Sequence, residues 1–223
     1  NVFKISIDDF YKTRNERRKL SLTKHPLLMI RGVPGTHDYK IISKFFKKIK
    51  SNNFKSIKLP KFDKSIDDRC KSKLWYKVKL KPDVVILEGW CVGAKAQNSL
   101  KLKKTINSLE RIRDPNLIWR KHVNTQLKTN YKKIFNYLDE IIYLKSSSFK
   151  LLQKWRITQE KRLWLNSKKK NNLKIMSKGD VINFMQTYQR ITQNMFKDAP
   201  KYASIIFKLD SKHQINSAIY KKK

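Results

Sequence analysis

Two runs of strand-forming residues end in carboxylates, and they constrain this chain more than any other feature. Val2 to Ile7 alternates apolar and polar side chains and runs into Asp8 and Asp9; residues 83–89, DVVILEG, are a continuous apolar run closing on Glu88 and Gly89. Alternation marks a half-buried strand, whereas an unbroken β-branched run predicts a strand buried on both faces. Helical spacing is interleaved with strand patterns. Ile42, Phe45, Phe46 and Ile49 recur at helical intervals after Thr36 and Asp38, either of which can cap the first turn. KSIKLP, ending at Pro60, reads as a short strand, and residues 115–138 read as a long amphipathic helix opened by Pro115. EIIYLK is a further strand, followed by a helix over 148–165, a polar loop NSKKKNNLK, and a helix from the S-x-x-D capping box of Ser177 and Asp180 through Met195. SIIFKLD closes the pattern as a strand, and the last dozen lysine-rich residues are expected to fray. Strands alternating with helices predict an α/β fold, a mostly parallel sheet with helices on both faces. The expected organisation is one domain over residues 1–210 with a basic tail over 211–223.

Charge is the loudest property and the least specific. Fifty-three Lys and Arg against 17 Asp and Glu give a net charge of +36. The excess is mostly lysine, spread from end to end together with asparagine and isoleucine, which is the footprint of A/T-rich codons. A nucleic-acid groove would instead concentrate arginine and aromatic residues on one face. Nonspecific affinity for polyanions at low salt is expected, and specific nucleic-acid recognition is not. Cys70 and Cys91 have no metal-ligand spacing, which argues against a zinc or disulfide framework. No apolar run is long enough to span a membrane. Together these place the expected compartment in the cytoplasm.

In open α/β sheets ligands bind beyond the carboxyl ends of the strands. A carboxylate at such an end, followed by glycine as in Glu88-Gly89, is suited to hold Mg²⁺ or its water shell beside a nucleotide. The usual companion, the phosphate cradle GxxxxGK[ST], does not occur in the 223 residues. GWCVGAK, residues 89–95, has the wrong spacing and follows the acid-ended strand, so it does not fill that role. One further stretch asks for an explanation. RGVPGTHD, residues 31–38, packs Arg31, Thr36, His37 and Asp38 around a turn that needs only Pro34 and Gly35.

ISIDDFY, HPLLMIRGVPGTHD, LPKFDKSIDDR, VVILEGWCVGAK, NSLERIRDPNLIWRKHVNTQL, WRITQE and YQRITQNM occur in this order between about Ile5 and Asp210. Together they resemble the D-glycerate 3-kinase family, P-loop kinases related to uridine kinase, phosphoribulokinase and pantothenate kinase. The resemblance implies ATP and Mg²⁺, a small hydroxy acid as the acceptor, and 3-phosphoglycerate as the product. It implies Asp8 as the general base, with Asp9 a turn former, and Glu88 as the residue serving Mg²⁺. RGVPGTHD resembles the substrate loop, so Arg31, Gly35, Thr36, His37 and Asp38 are candidate substrate contacts, with His37 a hydrogen-bonding residue rather than an acid or base. Asp63, Lys64 and Arg69 are candidates for substrate or phosphate contact, and Trp90 for a wall of the pocket. Arg156, with Arg162 second, falls where such kinases carry a lid whose cations meet the transferring phosphoryl group. The family's nucleotide loop precedes the strand that ends in the double aspartate. The chain is therefore expected to be an N-terminal truncation lacking the first strand and the P-loop, and to transfer phosphoryl groups poorly in this form. Two other readings stay open at this point: the same machinery acting on another small hydroxylated metabolite, and a basic nucleic-acid-binding module on an α/β scaffold.

Overall fold

The computed structural model describes residues 1–167 and 176–221, so most of the loop expected over 166–174 lies outside the described residues. In chain order the strands are β1 (Val2–Ser6), β2 (Ile57–Leu59), β3 (Phe62–Asp63), β4 (Asp68–Arg69), β5 (Tyr76–Val78), β6 (Val84–Glu88), β7 (Ile142–Lys145), β8 (Ile205–Leu209) and β9 (Ile215–Tyr220). The helices are α1 (Arg14–Thr23), α2 (Tyr39–Lys50), α3 (Ser99–Lys103), α4 (Ser108–Arg113), α5 (Ile118–Gln126), α6 (Lys132–Phe135), α7 (Phe149–Ser167) and α8 (Lys178–Tyr202). The chain divides into two compact units, residues 1–105 with 112–138, and residues 106–111 with 139–223. No helix among the described residues is long and apolar enough to cross a membrane.

In the first unit β1 and β6 form a parallel pair with Ser6 opposite Glu88. Ile42, Phe45 and Phe46 of α2 are buried, as their spacing requires, and Phe45 meets Phe3 of β1 edge-on at 6.0 Å. Asp38 caps α2 by accepting from the Ile41 amide at 3.3 Å. β6 departs from its expected burial. Val84 and Ile86 are 51% and 48% exposed, because the face they share with Glu88 is left uncovered. Two antiparallel ladders, β2/β5 and β3/β4, lie beside this pair in sequence and carry no parallel partner.

The long helix expected over 115–138 is built differently. Leu117 takes a left-handed conformation, φ 64°, and the helix begins only at Ile118. The Asp114 carboxylate accepts from the Trp119 and Arg120 amides at 2.8 and 3.1 Å and pairs with the buried Arg120 guanidinium at 3.3 Å. One turn over Leu127–Tyr131 widens to π geometry before α6.

In the second unit β7 and β8 pair parallel, and β9 adds antiparallel to β8. Residues 215–220 are thus paired as a strand where fraying was expected. α8 opens on the Ser177–Asp180 capping box and runs to Tyr202, past Met195 and through Pro200 in its last turn, where the missing N–H removes one intrahelical bond. Residues 106–111 are fastened to this unit by Glu110, whose fully buried carboxylate receives two bonds from Arg190 at 2.7 and 2.6 Å. Two of the five strand ladders among the described residues are parallel, so the fold is α/β with mixed pairing.

Candidate active site

The parallel register makes β1 and β6 end together, so Asp8 and Glu88 leave the same end of one ladder. Asp8 lies in a 3-10 turn over Ile7–Phe10, capped by the Ser6 hydroxyl, which accepts from the Asp8 amide at 3.3 Å. Both carboxylate oxygens are engaged. The Tyr11 hydroxyl donates to Oδ1 at 2.8 Å and the Lys64 ammonium to Oδ2 at 2.7 Å. Asp9 has a different task. It accepts from the Phe62 amide at 3.1 Å and bonds the Tyr76 hydroxyl, fastening β3 and β5 to the turn. Burial pushes its carboxyl pKa up, the Phe62 amide opposes that rise, and the charge of Asp8 adds to it.

The loop over residues 31–38 is closed on itself. The Thr36 hydroxyl donates to the Val33 carbonyl at 2.8 Å and accepts from the Gly32 amide at 3.1 Å. Gly35 donates its amide to the Tyr131 hydroxyl at 3.1 Å. A side chain could not replace it: φ is +105°, and a Cβ would stand 2.9 Å from His122 Nε2 and 3.1 Å from Gln126 Cγ on α5. His37 is fully buried, with Nδ1 2.6 Å from the Tyr131 hydroxyl and its ring stacked on Tyr11 at 4.5 Å. Burial drives its pKa down to about 3 against the pull of Asp8, so the imidazole is neutral at physiological pH. The Trp90 indole donates to the Gly32 carbonyl at 3.2 Å, which pins the residue after Gly89 to the same loop.

An ion cluster ties this loop to residues 62–69. Arg31 pairs with Asp67, and the same carboxylate lies 3.0 Å from Arg17, a guanidinium only 1% exposed. Arg17 also donates to the carbonyls of Met29 and Asp67 at 2.8 and 2.6 Å. Asp67 reaches this position through a left-handed φ of 56°. Arg69 donates to the Tyr11 carbonyl at 2.8 Å and stands 3.5 Å from Asp38. Asp63 is turned on its own loop, accepting from the Ser65 amide and hydroxyl at 2.8 and 2.6 Å. Of the three charged candidates in this stretch, Lys64 alone reaches Asp8, while Asp63 and Arg69 hold backbone.

Glu88 is exposed and, among the described residues, its side chain forms no ion pair. Gly89 behind it is obligatory, since a Cβ there would meet Ile7 Cγ2 at 2.3 Å. Cys91 is fully buried with its thiol pKa pushed up by burial, which excludes a thiolate nucleophile. Among the described residues no three His, Cys, Asp or Glu side chains gather as a cation cage. A lone exposed carboxylate still fits Mg²⁺, which keeps several waters and takes one or two carboxylates together with substrate phosphates. The phosphate-cradle pattern GxxxxGK[ST] does not occur in the sequence.

Arg156 and Arg162 belong to the second unit. Arg156 is paired with Glu160 one turn on, donates to Gln159 at 2.8 Å and lies over the Phe184 ring at 6.0 Å. Arg162 is exposed.

The sequence matches no family profile. It is 29% identical to the "uncharacterized kinase mug58" of Schizosaccharomyces pombe over 224 residues, covering 97% of this chain and 74% of that one. It is 42% identical to the "probable ATP-dependent kinase TDA10" of Saccharomyces cerevisiae over 98 residues, 40% of this chain and 33% of the other. The fold superimposes on the D-glycerate 3-kinase of Cryptococcus neoformans var. grubii with a TM-score of 0.79 and 25% identity, over 99% of this chain and 80% of that one. The chain is a relative of the D-glycerate 3-kinases. Its relatives carry the names of kinases, one of them ATP-dependent.

For a D-glycerate 3-kinase relative, the geometry sorts the candidates into two groups. Asp8, Lys64 and His37 are brought together around Tyr11. Arg31, Gly35, Thr36, Asp38 and Arg69 have their polar groups engaged in holding the loops. Sequence reasoning missed Tyr11, Arg17, Asp67 and Tyr131. A local signal existed only for the start of α1, the helix that carries Arg17: Thr13-x-x-Glu16 is a capping box, both halves of which form there.

Proposed function

We propose that this protein is an ATP-dependent kinase that transfers the γ-phosphoryl group to a hydroxyl of D-glycerate, giving 3-phosphoglycerate. Asp8 is the general base. The observation that carries the reading is a strand-end carboxylate gripped by Tyr11 and Lys64 beside a preformed loop. Such fixing is what base catalysis requires, since proton acceptance depends on a carboxylate held within hydrogen-bond reach of the attacking hydroxyl. Lys64 then offsets charge as the acceptor acid enters, and its exposed ammonium is free to exchange Asp8 for an anionic oxygen. Arg31, Gly35, Thr36 and Asp38 shape the acceptor loop, Arg69 and Asp63 support it, and Trp90 walls it. Glu88 serves the water shell of Mg²⁺, which supplies charge neutralisation at the phosphates when bound. Arg156 and Arg162 are assigned to the transferring phosphoryl group, Arg156 by exchanging Glu160 for phosphate oxygens. Lysines 40, 44, 47 and 48, which line an open groove along α2, account for the proposed nonspecific affinity for polyanions.

The test is turnover of protein expressed from the complete gene, with ATP, Mg²⁺ and a panel of small hydroxylated acids and sugars. D-glycerate is expected to be the preferred acceptor. Asp8→Asn is expected to lower kcat by about 10²- to 10⁴-fold with the fold retained. Turnover that survives Asp8→Asn, or an acceptor other than D-glycerate, overturns the corresponding half of the reading.

A further inference from the structure

We propose that Tyr131 is a positioning residue: its hydroxyl fixes His37 as the neutral imidazole protonated on Nε2, and that N–H donates to an oxygen of the acceptor acid beside Asp8. The inference rests on the kinase reading above.

The argument is a count of protons. Tyr131 and His37 are both fully buried. The phenol oxygen accepts from the Gly35 amide at 3.1 Å and lies 2.6 Å from His37 Nδ1. A phenol has one proton to give and a neutral imidazole has one donor and one acceptor nitrogen. If Nδ1–H donated to the phenol, the buried Tyr131 proton and the Nε2 lone pair would both go unmatched. If the phenol donates to Nδ1, only the Nε2–H is unmatched. Each unmet buried polar group costs free energy, so the second arrangement, with one such group instead of two, wins. Burial of the ring disfavours the doubly protonated form that would escape this choice.

Nε2 has no hydrogen-bond partner among the described residues. The ring is stacked on Tyr11, whose hydroxyl holds Asp8, and the Asp8 charge acts on the imidazole. The unmatched donor therefore belongs to the same side-chain group as the proposed base. A hydroxyl or carboxylate oxygen of a small hydroxy acid is the acceptor that completes it. Tyr131 itself is delivered by the widened turn over 127–131, and such π turns recur at functional sites.

The experiment compares wild-type protein, Tyr131→Phe, His37→Phe and the double variant, labelled with ¹⁵N-histidine, at neutral pH with and without D-glycerate. The ¹⁵N shifts of the two ring nitrogens report which carries the proton. Expected are a wild-type His37 protonated on Nε2, a Nε2 resonance that moves on adding D-glycerate, and a mixture of tautomers in Tyr131→Phe. The Kd for D-glycerate is expected to rise about tenfold in each single variant and no further in the double variant. A wild-type ring protonated on Nδ1, or additive losses in the double variant, overturns the inference. Should Tyr131→Phe fail to fold, the wild-type tautomer and the His37→Phe titration still decide. If D-glycerate is phosphorylated while neither variant changes its Kd, the inference falls and the function stands. If wild-type protein neither binds nor phosphorylates D-glycerate, the function falls and takes the acceptor half of the inference with it, while the shifts still judge the tautomer.

Discussion

The loop over residues 31–38 and the end of β6 lie in one unit, and both read as functional in sequence, yet their side chains live in opposite conditions. In the loop the hydroxyl of Thr36, the amide of Gly35 and the carboxylate of Asp38 are all matched inside the protein, and Arg31 shares Asp67 with a buried arginine. At the end of β6 the carboxylate of Glu88 is exposed and unpaired among the described residues, beside the exposed Ile86. A side chain whose bonding capacity is filled by its own protein holds shape. One left open is available to something else. The difference teaches that the distinctive octapeptide is mostly scaffold, and that open capacity sits on Glu88, on the exchangeable Lys64, and on one nitrogen of His37.

The largest effect that tests this contrast is removal of Arg17. Its guanidinium satisfies three carbonyls, those of Lys12, Met29 and Asp67, and one carboxylate in a buried setting, so Arg17→Met strands Asp67 and loosens Arg31 together. Breaking one side of a buried pair costs about 3–5 kcal/mol. Urea unfolding at neutral pH should show a loss in that range, and a loss below about 1 kcal/mol would break the comparison by showing that the loop does not depend on its ion cluster. Next in size is the acid response of His37. The unfolded imidazole takes a proton near pH 6.5 while the folded one resists to about 3. Between those values the unfolded state binds more protons, so stability falls as pH falls, by about 1.4 kcal/mol per pH unit from this group. From pH 7 to pH 5 the urea midpoint should drop in wild-type protein and drop less in His37→Phe, a difference that isolates this group from Asp9, whose raised pKa acts in the opposite sense. Equal slopes in the two proteins would mean the imidazole is not sealed from water.

Periodicity made part of this legible. The strand runs of β1, β2, β6, β7 and β8, the Asp38 cap and the Ser177 capping box all stand where alternation, apolar runs and cap chemistry put them. What stayed hidden was of two kinds. Arg17 and Tyr131 act on residues 50 and 96 positions away, and no local pattern encodes such pairings. A buried arginine also contradicts the pattern by which helices are read, so α1, whose buried residue is Arg17, shows no apolar stripe. The exposed face of β6 was illegible for another reason: a β-branched run reads the same whether or not anything covers it. The π turn before α6, which carries the buried Tyr131, leaves no mark in composition.

Smaller effects sharpen the contrast at its two ends. Thr13→Ala removes the side chain that caps α1, where the Thr13 hydroxyl accepts from the Glu16 amide at 3.2 Å and the Glu16 carboxylate accepts from the Thr13 amide at 2.7 Å. The expected cost is about 1 kcal/mol, read from the thermal or urea midpoint. It should weaken the Arg17 anchor without touching Glu88.

Glu88→Gln is the smallest perturbation of the fold and the most pointed test of open capacity. An exposed carboxylate with no ion pair among the described residues contributes nothing that an amide of the same shape would lose, so stability should stay within about 0.5 kcal/mol of wild type. If the side chain serves a divalent cation's water shell, the charge matters where stability does not. The Mg²⁺ concentration giving half-maximal turnover should then rise several-fold in Glu88→Gln while the Kd for D-glycerate stays put. A variant that loses more than about 1 kcal/mol would make this strand end part of the scaffold, like the loop. An unchanged Mg²⁺ dependence would leave the carboxylate open to solvent and to nothing else.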